Sequence, residues 1–532
     1  MNLDHDLKTR KYAQIWQEYC GFLDLSMEEY METQYRLMRE QIALYSGCRL
    51  GKRIMGDDPP KTIAEFRKKV PLTHYDDYAD ILLQKRVEDL PAEPAIWIET
   101  TWEGGKNPKK VAPYTHSMVE NHRGTIISVL IFATSDRKGH FSLRPNQNCL
   151  FGMAPLPYFT GLIPYVLDGQ LSANFMPDAS AATRLSFSAR NKEGFKLGLL
   201  RGVDIFVGMS SVLSRMSELF AEGGSSGKNK LLGASPKMVY RLIRAKALSR
   251  EQGNTPILPK NVWKPKGLIC GGTDSPAFKK KIEHYWGIRP LEMFGGTEPT
   301  CVATETWAKD GMIFFPEVCF YEFIPEAEME HSIADPSYSP RTFLMDEVKA
   351  GEKYELVISN FKGGAFMRYR VGDVFRCIST KNEVDGIDFP QFAYVDRIPT
   401  VIDIAGFTRV TENTVQATIA ASGLDIINWF AVKEFSDDNR PYMHFFAELG
   451  EKAITSGAVA ADIIREHLSV YFRYIDADYQ DLKKMLGIDP LMVTILPSGT
   501  IAAFENGSGR KVRHMNPSHY DVTEMEHISG LR

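Results

Sequence analysis

GLICGG (267–272) and LEMFGG (291–296) are short apolar runs, each closed by a glycine pair. Runs of this length bounded by turn residues read as buried strands. AIWIETT (95–101), CLFGMAPL (149–156) and VDIFVGM (203–209) have the same texture, and helical stretches lie between them. The alternation predicts an α/β fold with a mainly parallel sheet. Upstream, YAQIWQEYCGFL (12–23) and MEEYMETQYRLMREQIALYS (27–46) carry apolar residues at three- and four-residue spacing and read as helices, with a further short helical stretch over 71–90. Downstream, FFPEVCFYEFIP (314–325), KYELVISNF (353–361) and MRYRVGDVF (367–375) read as meander strands. After Val395 the pattern changes to a small α+β unit. Its expected elements are VIDIAG, ENTVQATIAASG, WFAVKEF, YMHFFAEL, AADIIREHLSVYF and LMVTIL. FAEGGSSGKNK (220–230) falls short of the nucleotide-binding GxxxxGK[ST] and reads as a polar loop.

A chain of 532 residues exceeds one ordinary core. The texture places a large N-terminal domain over 1–394 and a small C-terminal α+β domain over 395–532. The 44% hydrophobic and 24% charged residues are those of a globular protein. A net charge of −4, without a basic run, gives no attraction to nucleic acid or an anionic membrane. The seven cysteines are scattered, with no CxxC pair, which argues against a disulfide framework or a zinc site and for a cytoplasmic protein. The charged start MNLDHDLKTRKYAQ is no signal peptide, and no apolar run reaches the ~18 residues of a spanning helix.

Four clusters carry groups suited to chemistry, and each also has a plain structural reading. Thr100 to Lys110 (TTWEGGKNPKK) follows a strand and offers glycine backbone, hydroxyls and lysines that can wrap phosphate oxygens, or it is an exposed basic turn. Gly271 and Gly272 leave bare backbone against which a flat ring can lie, or simply turn the chain. Phe294-Gly295-Gly296-Thr297-Glu298 joins an aromatic ring, a hydroxyl and a carboxylate at a strand end, suited to a base, a phosphate and Mg²⁺. Tyr369-Arg370-Val371-Gly372-Asp373 sets a carboxylate after a glycine, where it can accept from two ribose hydroxyls, or ends a hairpin.

The order FGGTE, then YRVGD, then Asp396-Arg397 resembles that of adenylate-forming enzymes. Within them the chain is most similar to the Gretchen Hagen-three (GH3) acyl acid amido synthetases, which conjugate auxin and jasmonate. PEVCFYEFIPE (316–326), LMDEVKAGEKYELVISNF (344–361), RYRVGDVFRC (368–377) and PQFAYVDRIPTVIDIAGFTRVTE (390–412) carry the resemblance. It implies a large adenylation domain with a small mobile C-terminal domain, and ATP and Mg²⁺ as cofactors. Thr101, Gly104, Gly105 and Lys106 would hold the phosphates. Phe294, Gly295, Gly271 and Gly272 would enclose the adenine. Thr297 would touch the α-phosphate, Glu298 would hold Mg²⁺, Asp373 the ribose hydroxyls, and Arg397 the ribose or phosphate. Lys511, in GSGRKVR (507–513), would be the catalytic lysine of the C-terminal domain.

One stretch departs from the family pattern. Trp102 and Glu103 stand where its phosphate loop has small residues, so the loop is either rebuilt around Gly104, Gly105 and Lys106 or altered in its handling of ATP. The implied reaction is attack of a carboxylate on the α-phosphate, followed by acyl transfer to an amine. Transfer to CoA or a carrier-protein thiol is the alternative within the enzyme class. An ATP-independent acyl-binding or acyl-transfer protein is the alternative outside it. The apolar segment APLPYFTGL (154–162) is the expected acyl pocket, which points to an aromatic or apolar acid.

Overall fold

The structure, a computed structural model, describes residues 2–100, 109–223, 235–253, 255–406, 408–450, 457–475, 482–483 and 486–531. The chain folds as two compact units that divide between Val395 and Asp396. The first is an α/β unit built on an eleven-stranded sheet. From one edge to the other its strands are Cys319–Pro325, Lys353–Asn360, Tyr369–Ser379, Gln391–Arg397, Met312–Phe314, Thr300–Glu305, Leu291–Gly296, Gly267–Gly271, Ile205–Met209, Gln147–Phe151 and Ala173–Met176.

The last five strands pair in parallel, as expected for the runs at 149–156, 203–209, 267–272 and 291–296. The apolar runs do not announce Ala173–Met176, and the run AIWIETT stands outside this sheet: Pro94–Glu99 pairs antiparallel with Val111–Thr115 in a separate two-stranded sheet. The pairings from Leu291–Gly296 through Thr300–Glu305 and Met312–Phe314 to Gln391–Arg397 are antiparallel, as are those among Cys319–Pro325, Lys353–Asn360 and Tyr369–Ser379. The sheet is therefore mixed, and "mainly parallel" holds for one half of it. The difference follows from connection length: short turns close antiparallel neighbours, whereas parallel ones need a helical crossover.

Helices cover the parallel half. His116–Ala133 is buried along most of its length on one face, starting at Thr115, whose hydroxyl accepts from Met118 N. Trp263 and Trp286, stacked with ring centroids 5.4 Å apart, fill the other face with Phe206 and Leu268. All seven cysteines are buried, and none forms a disulfide. Among the described residues no helix is long and apolar enough to cross a membrane.

The helix Met27–Ser46 begins at a capping box, Ser26 with Glu29. Its buried face is not purely apolar. Gln41 donates to Gly364 O (3.0 Å) and accepts from Gly363 N (2.9 Å), and Tyr45 donates to Ala365 O (2.7 Å). These side chains satisfy backbone groups of the turn before Tyr369 that no ladder reaches. Arg368 follows at φ +47°, an unusual conformation for a side-chain-bearing residue. Its guanidinium is buried. Nε and Nη2 form a fork with Glu322 (2.9 and 2.8 Å), and Nη1 donates to Arg67 O and Val70 O (2.7 and 2.6 Å).

The second unit, residues 396–532, is α+β. A hairpin of Val401–Ile404 and Thr408–Thr411 leads into the helix Glu412–Ser422. Ile426–Phe435 and Pro441–Leu449 pair antiparallel, and Leu491–Leu496 adds in parallel. The helices Gly457–Ile475, Thr500–Ser508 and His519–Ser529 also belong to it.

Removing Arg368 strands a buried carboxylate. Arg368→Leu is expected to cost about 3–5 kcal/mol, while Glu322→Leu with Arg368→Leu recovers most of that loss. Denaturant unfolding of the three proteins, followed by tryptophan fluorescence, checks the pattern. Equal losses in the single and double variants would refute it.

Candidate active site

The FGGTE turn joins the strands Leu291–Gly296 and Thr300–Glu305. Gly295 is required there by close approach: a Cβ would lie 2.5 Å from Thr300 O and 3.0 Å from the Phe159 ring. Tyr114 donates to Thr297 O (2.9 Å), and Asn360 Nδ2 donates to Glu298 O (3.1 Å), so the turn is anchored from two other strands. At the far end of Leu291–Gly296, Lys279 bridges the buried Glu292 and Glu305. Burial raises the pKa of Glu292, partly offset by Lys279.

Glu298 is 8% exposed. Its Oε1 accepts from Lys110 Nζ at 3.0 Å and from Tyr369 OH at 2.7 Å. Lys110 also lies over the Tyr75 ring, 5.6 Å from its centroid. Burial first, and then the Glu298 carboxylate, push the Tyr369 phenol well above its ordinary pKa. It therefore stays a neutral donor. Burial likewise raises Tyr75 to about 12.

Asp373 lies further along the strand that begins with Tyr369 and is 2% exposed. It accepts from Tyr394 OH at 3.0 Å. The Tyr394 ring stacks on Phe294 at 5.7 Å, and Phe375 meets both rings edge-on at 4.9 and 5.5 Å. Gly271 ends its strand with only Met293 O near the place of a Cβ, at 3.5 Å, and Gly272 follows at φ +115°. Phe294, Thr297, Glu298 and Asp373 are thus joined through the tyrosines of one unit.

Other candidates stand elsewhere. Thr101, Gly104, Gly105 and Lys106 lie outside the described residues, as do Trp102 and Glu103. Of the polar loop expected over 220–230, residues 220–223 end the helix Ser210–Gly223, and the rest lie outside the described residues. Arg397 and Lys511 belong to the second unit. Arg397 N donates to Asp396 Oδ1 (2.7 Å), and the Asp396 carboxylate pairs with Lys433 (3.2 Å). Lys511 is exposed and pairs with Glu505 at 3.3 Å. Glu505 is held below its ordinary pKa, first by the Val512 amide and then by Lys511. Among the described residues no three His, Cys, Asp or Glu side chains gather around a metal position.

Residues 312–397 match the GH3 family central domain, a span that includes Asn360, Tyr369, Asp373, Tyr394 and Arg397. The chain resembles the GH3 family. It is 26% identical over 299 residues to the jasmonoyl–L-amino acid synthetase GH3.5 of Oryza sativa subsp. japonica, covering 51% of this chain and 47% of that protein. It is 31% identical over 134 residues to the probable indole-3-acetic acid-amido synthetase GH3.4 of the same plant, covering 23% and 20%. The chain spans about half the length of the first of these curated GH3 relatives. The fold extends further. A structure of the AtGH3.15 acyl acid amido synthetase in complex with 2,4-DB aligns over 97% of this chain and 96% of that one, with TM-score 0.54 and 16% identity. A 2-hydroxyisobutyryl-CoA ligase structure in complex with 2-HIB-AMP and CoA aligns over 91% and 88%, with TM-score 0.58 and 14% identity. The mixed α/β fold is that of GH3 and adenylate-forming enzymes.

Sequence reasoning missed the connecting residues. Lys110 was legible as part of the family's phosphate-loop pattern, but its contact with Glu298 was not. Tyr114, Tyr369, Tyr394 and Asn360 look like ordinary strand residues, and only the fold aims them. In the expected acyl segment, Phe159 lies 5.5 Å from the ring of His122, which is 2% exposed. Neither His122 nitrogen has a hydrogen-bond partner among the described residues, and burial lowers its pKa to about 4.

This histidine gives the fold a pH dependence. Between about pH 6.5 and 4 the unfolded chain binds a proton that the folded imidazole refuses, so stability falls as pH falls through that window. The size is about 3 kcal/mol. His122→Phe should flatten the decline in unfolding free energy over this range. An unchanged slope in the variant would show that other groups carry it.

Proposed function

We propose that the chain is an adenylate-forming ligase that activates a carboxylic acid with ATP and then transfers the acyl group to an amine, as an acyl acid amido synthetase does. The single observation that carries this reading is the tyrosine-linked set. Tyr394 couples the Phe294 ring to Asp373, and Tyr369 couples Glu298 to Lys110. A ring for the base, a buried carboxylate for the ribose and a carboxylate–lysine pair for the phosphates suit a nucleotide better than any smaller ligand. The similarity to jasmonoyl- and indole-3-acetic acid-amido synthetases supports an amine acceptor over a thiol.

In this reading Asp373 accepts from the ribose hydroxyls, and Phe294 with Tyr394 lies beside the adenine. Thr297 faces the α-phosphate. Lys110 adds positive charge where the substrate carboxylate attacks phosphorus and pyrophosphate departs. Glu298 offers the hard oxygen chemistry that Mg²⁺ takes together with phosphate oxygens. Its Oε1 already accepts from Lys110 and Tyr369, so with a cation held by Glu298 the Lys110 ammonium would turn to phosphate. Mg²⁺, when bound, neutralises phosphate charge. Phe159 and His122 wall the acyl side, which suits an aromatic or apolar acid.

Pyrophosphate release, screened over aromatic and aliphatic acids with amino acids or CoA as acceptor, tests the reading. The expected result is acid-dependent release with an amide product. A thioester product would transfer the assignment to a CoA ligase, and acyl binding without pyrophosphate would overturn it.

Asp373→Ala is expected to weaken ATP binding by about 2–3 kcal/mol, the size of hydrogen bonds to a charged acceptor. Unchanged calorimetric affinity in the folded variant would remove Asp373 from the site. Glu298→Gln should keep the fold but slow adenylation, with partial recovery at high Mg²⁺. A variant as fast as wild type at low Mg²⁺ would exclude Glu298 as the metal ligand.

A further inference from the structure

The helix Pro236–Glu251 lies far along the chain from the residues above and has an unusual charge balance. It carries Lys237, Arg241, Arg244, Lys246 and Arg250 against the single acid Glu251, in a chain whose net charge is −4. Among the described residues none of these five cations makes an ion pair. Largely buried cations of the same unit, such as Lys279, Arg368 and Arg370, are paired with carboxylates. Only Ala245 and Ser249 of the helix are buried. Tyr240 is 68% exposed, which is unusual for a tyrosine that no partner covers.

The helix and the short helix Pro259–Val262 border an open groove of about 430 Å³, lined by Pro236, Lys237, Tyr240, Arg241, Arg244 and Val262. No acidic side chain lines it. Lys237, Arg241 and Arg244 stand at i, i+4 and i+7 and so share one helical face over about 10 Å. Arg241 is pinned: its Nη1 donates to Leu199 O and Leu200 O (2.7 and 2.8 Å) in the last turn of the helix Phe187–Arg201. Three like charges held together without a counter-charge repel one another, and an anion relieves the repulsion. Their spread exceeds one phosphate, and the Tyr240 ring between them offers a face for stacking. The groove volume is within the range of small-molecule sites.

We propose that this groove is a second nucleotide site, which takes a nucleoside diphosphate with its phosphates on Lys237 and Arg244 and its base against Tyr240. Binding here adds a site for nucleotide outside the reaction proposed above.

Photolabelling of the full chain with 8-azido-ADP at low salt, followed by peptide mapping, tests the assignment. Label is expected on the peptide containing Tyr240. Lys237→Gln with Arg244→Gln should cut that label by about tenfold or more, as the loss of charge-assisted bonds requires. Both side chains are exposed and unpaired among the described residues, so the double variant should fold and keep wild-type acid-dependent pyrophosphate release. Asp373→Ala should retain the label on this helix, which separates the second site from the proposed catalytic one. Excess pyrophosphate should compete, and adenosine should compete only weakly. Label absent from the helix, undiminished in the double variant, or displaced by adenosine as well as by ADP would overturn the proposal. A wild-type chain that releases no pyrophosphate would instead defeat the ligase reading and leave the labelling result standing.

Discussion

The buried fork between Arg368 and Glu322 is the constraint on which the site geometry rests. Arg368 takes up a left-handed backbone that a side-chain-bearing residue adopts only under compulsion. The compulsion is electrostatic. A 1%-exposed carboxylate on one edge strand must be met, and the guanidinium that meets it also fills carbonyls at the end of the helix Ile63–Lys69. The chain leaves this knot directly into Tyr369. Thr73 grips the same point, accepting from Arg370 N and donating its own N–H to Arg368 O (both 2.9 Å). The start of the strand is therefore fixed in position and rotation, and Tyr369 and Asp373 inherit their directions from it.

Tyrosines then do what charged residues could not do cheaply. A buried charge needs partners, and every added charge brings its own desolvation cost. Tyr369 and Tyr394 satisfy Glu298 and Asp373 with neutral hydroxyls. Because burial and the Glu298 charge raise the Tyr369 pKa, its proton stays on the phenol and its role does not change with pH in the ordinary range. Their rings at the same time build the apolar wall beside Phe294 and Phe375, so one residue type supplies both shape and hydrogen bonds.

Much of this was legible in the sequence, for reasons that differ by element. The parallel strands announce themselves because they are buried on both faces and read as unbroken apolar runs closed by glycine. The strands of the second unit announce themselves by apolar runs between turn residues. Phe294, Glu298 and Asp373 stand out in the sequence because their motifs bring unlike groups together within five residues. What stayed hidden depends on long-range contact. Gln41 looks like a surface residue of an amphipathic helix, yet it is 1% exposed and completes the turn before Arg368. Lys110 and Glu298 are far apart in sequence, and no local pattern encodes their meeting. The antiparallel half of the sheet was read as meander strands, but its continuity with the parallel half rests on the hairpin of Leu291–Gly296 and Thr300–Glu305, which a one-dimensional pattern does not reveal.

The Lys110–Glu298 pair also bears on how such a site can handle phosphate. In the structure the ammonium and the carboxylate neutralise each other at 3.0 Å, with both side chains largely buried. An incoming polyanion changes that balance. Phosphate oxygens carry more charge than one carboxylate, so the ammonium gains by turning to them, and Glu298 then needs a new positive partner. On the reading proposed above, a divalent cation would fill that need, since it is drawn to phosphate and carboxylate oxygens alike. The pair thus holds each charge compensated, with Tyr369 donating to the same carboxylate oxygen; on the reading proposed above, it would exchange partners when nucleotide binds. A site that leaves neither charge exposed in its resting state avoids the larger penalty of an isolated buried ion.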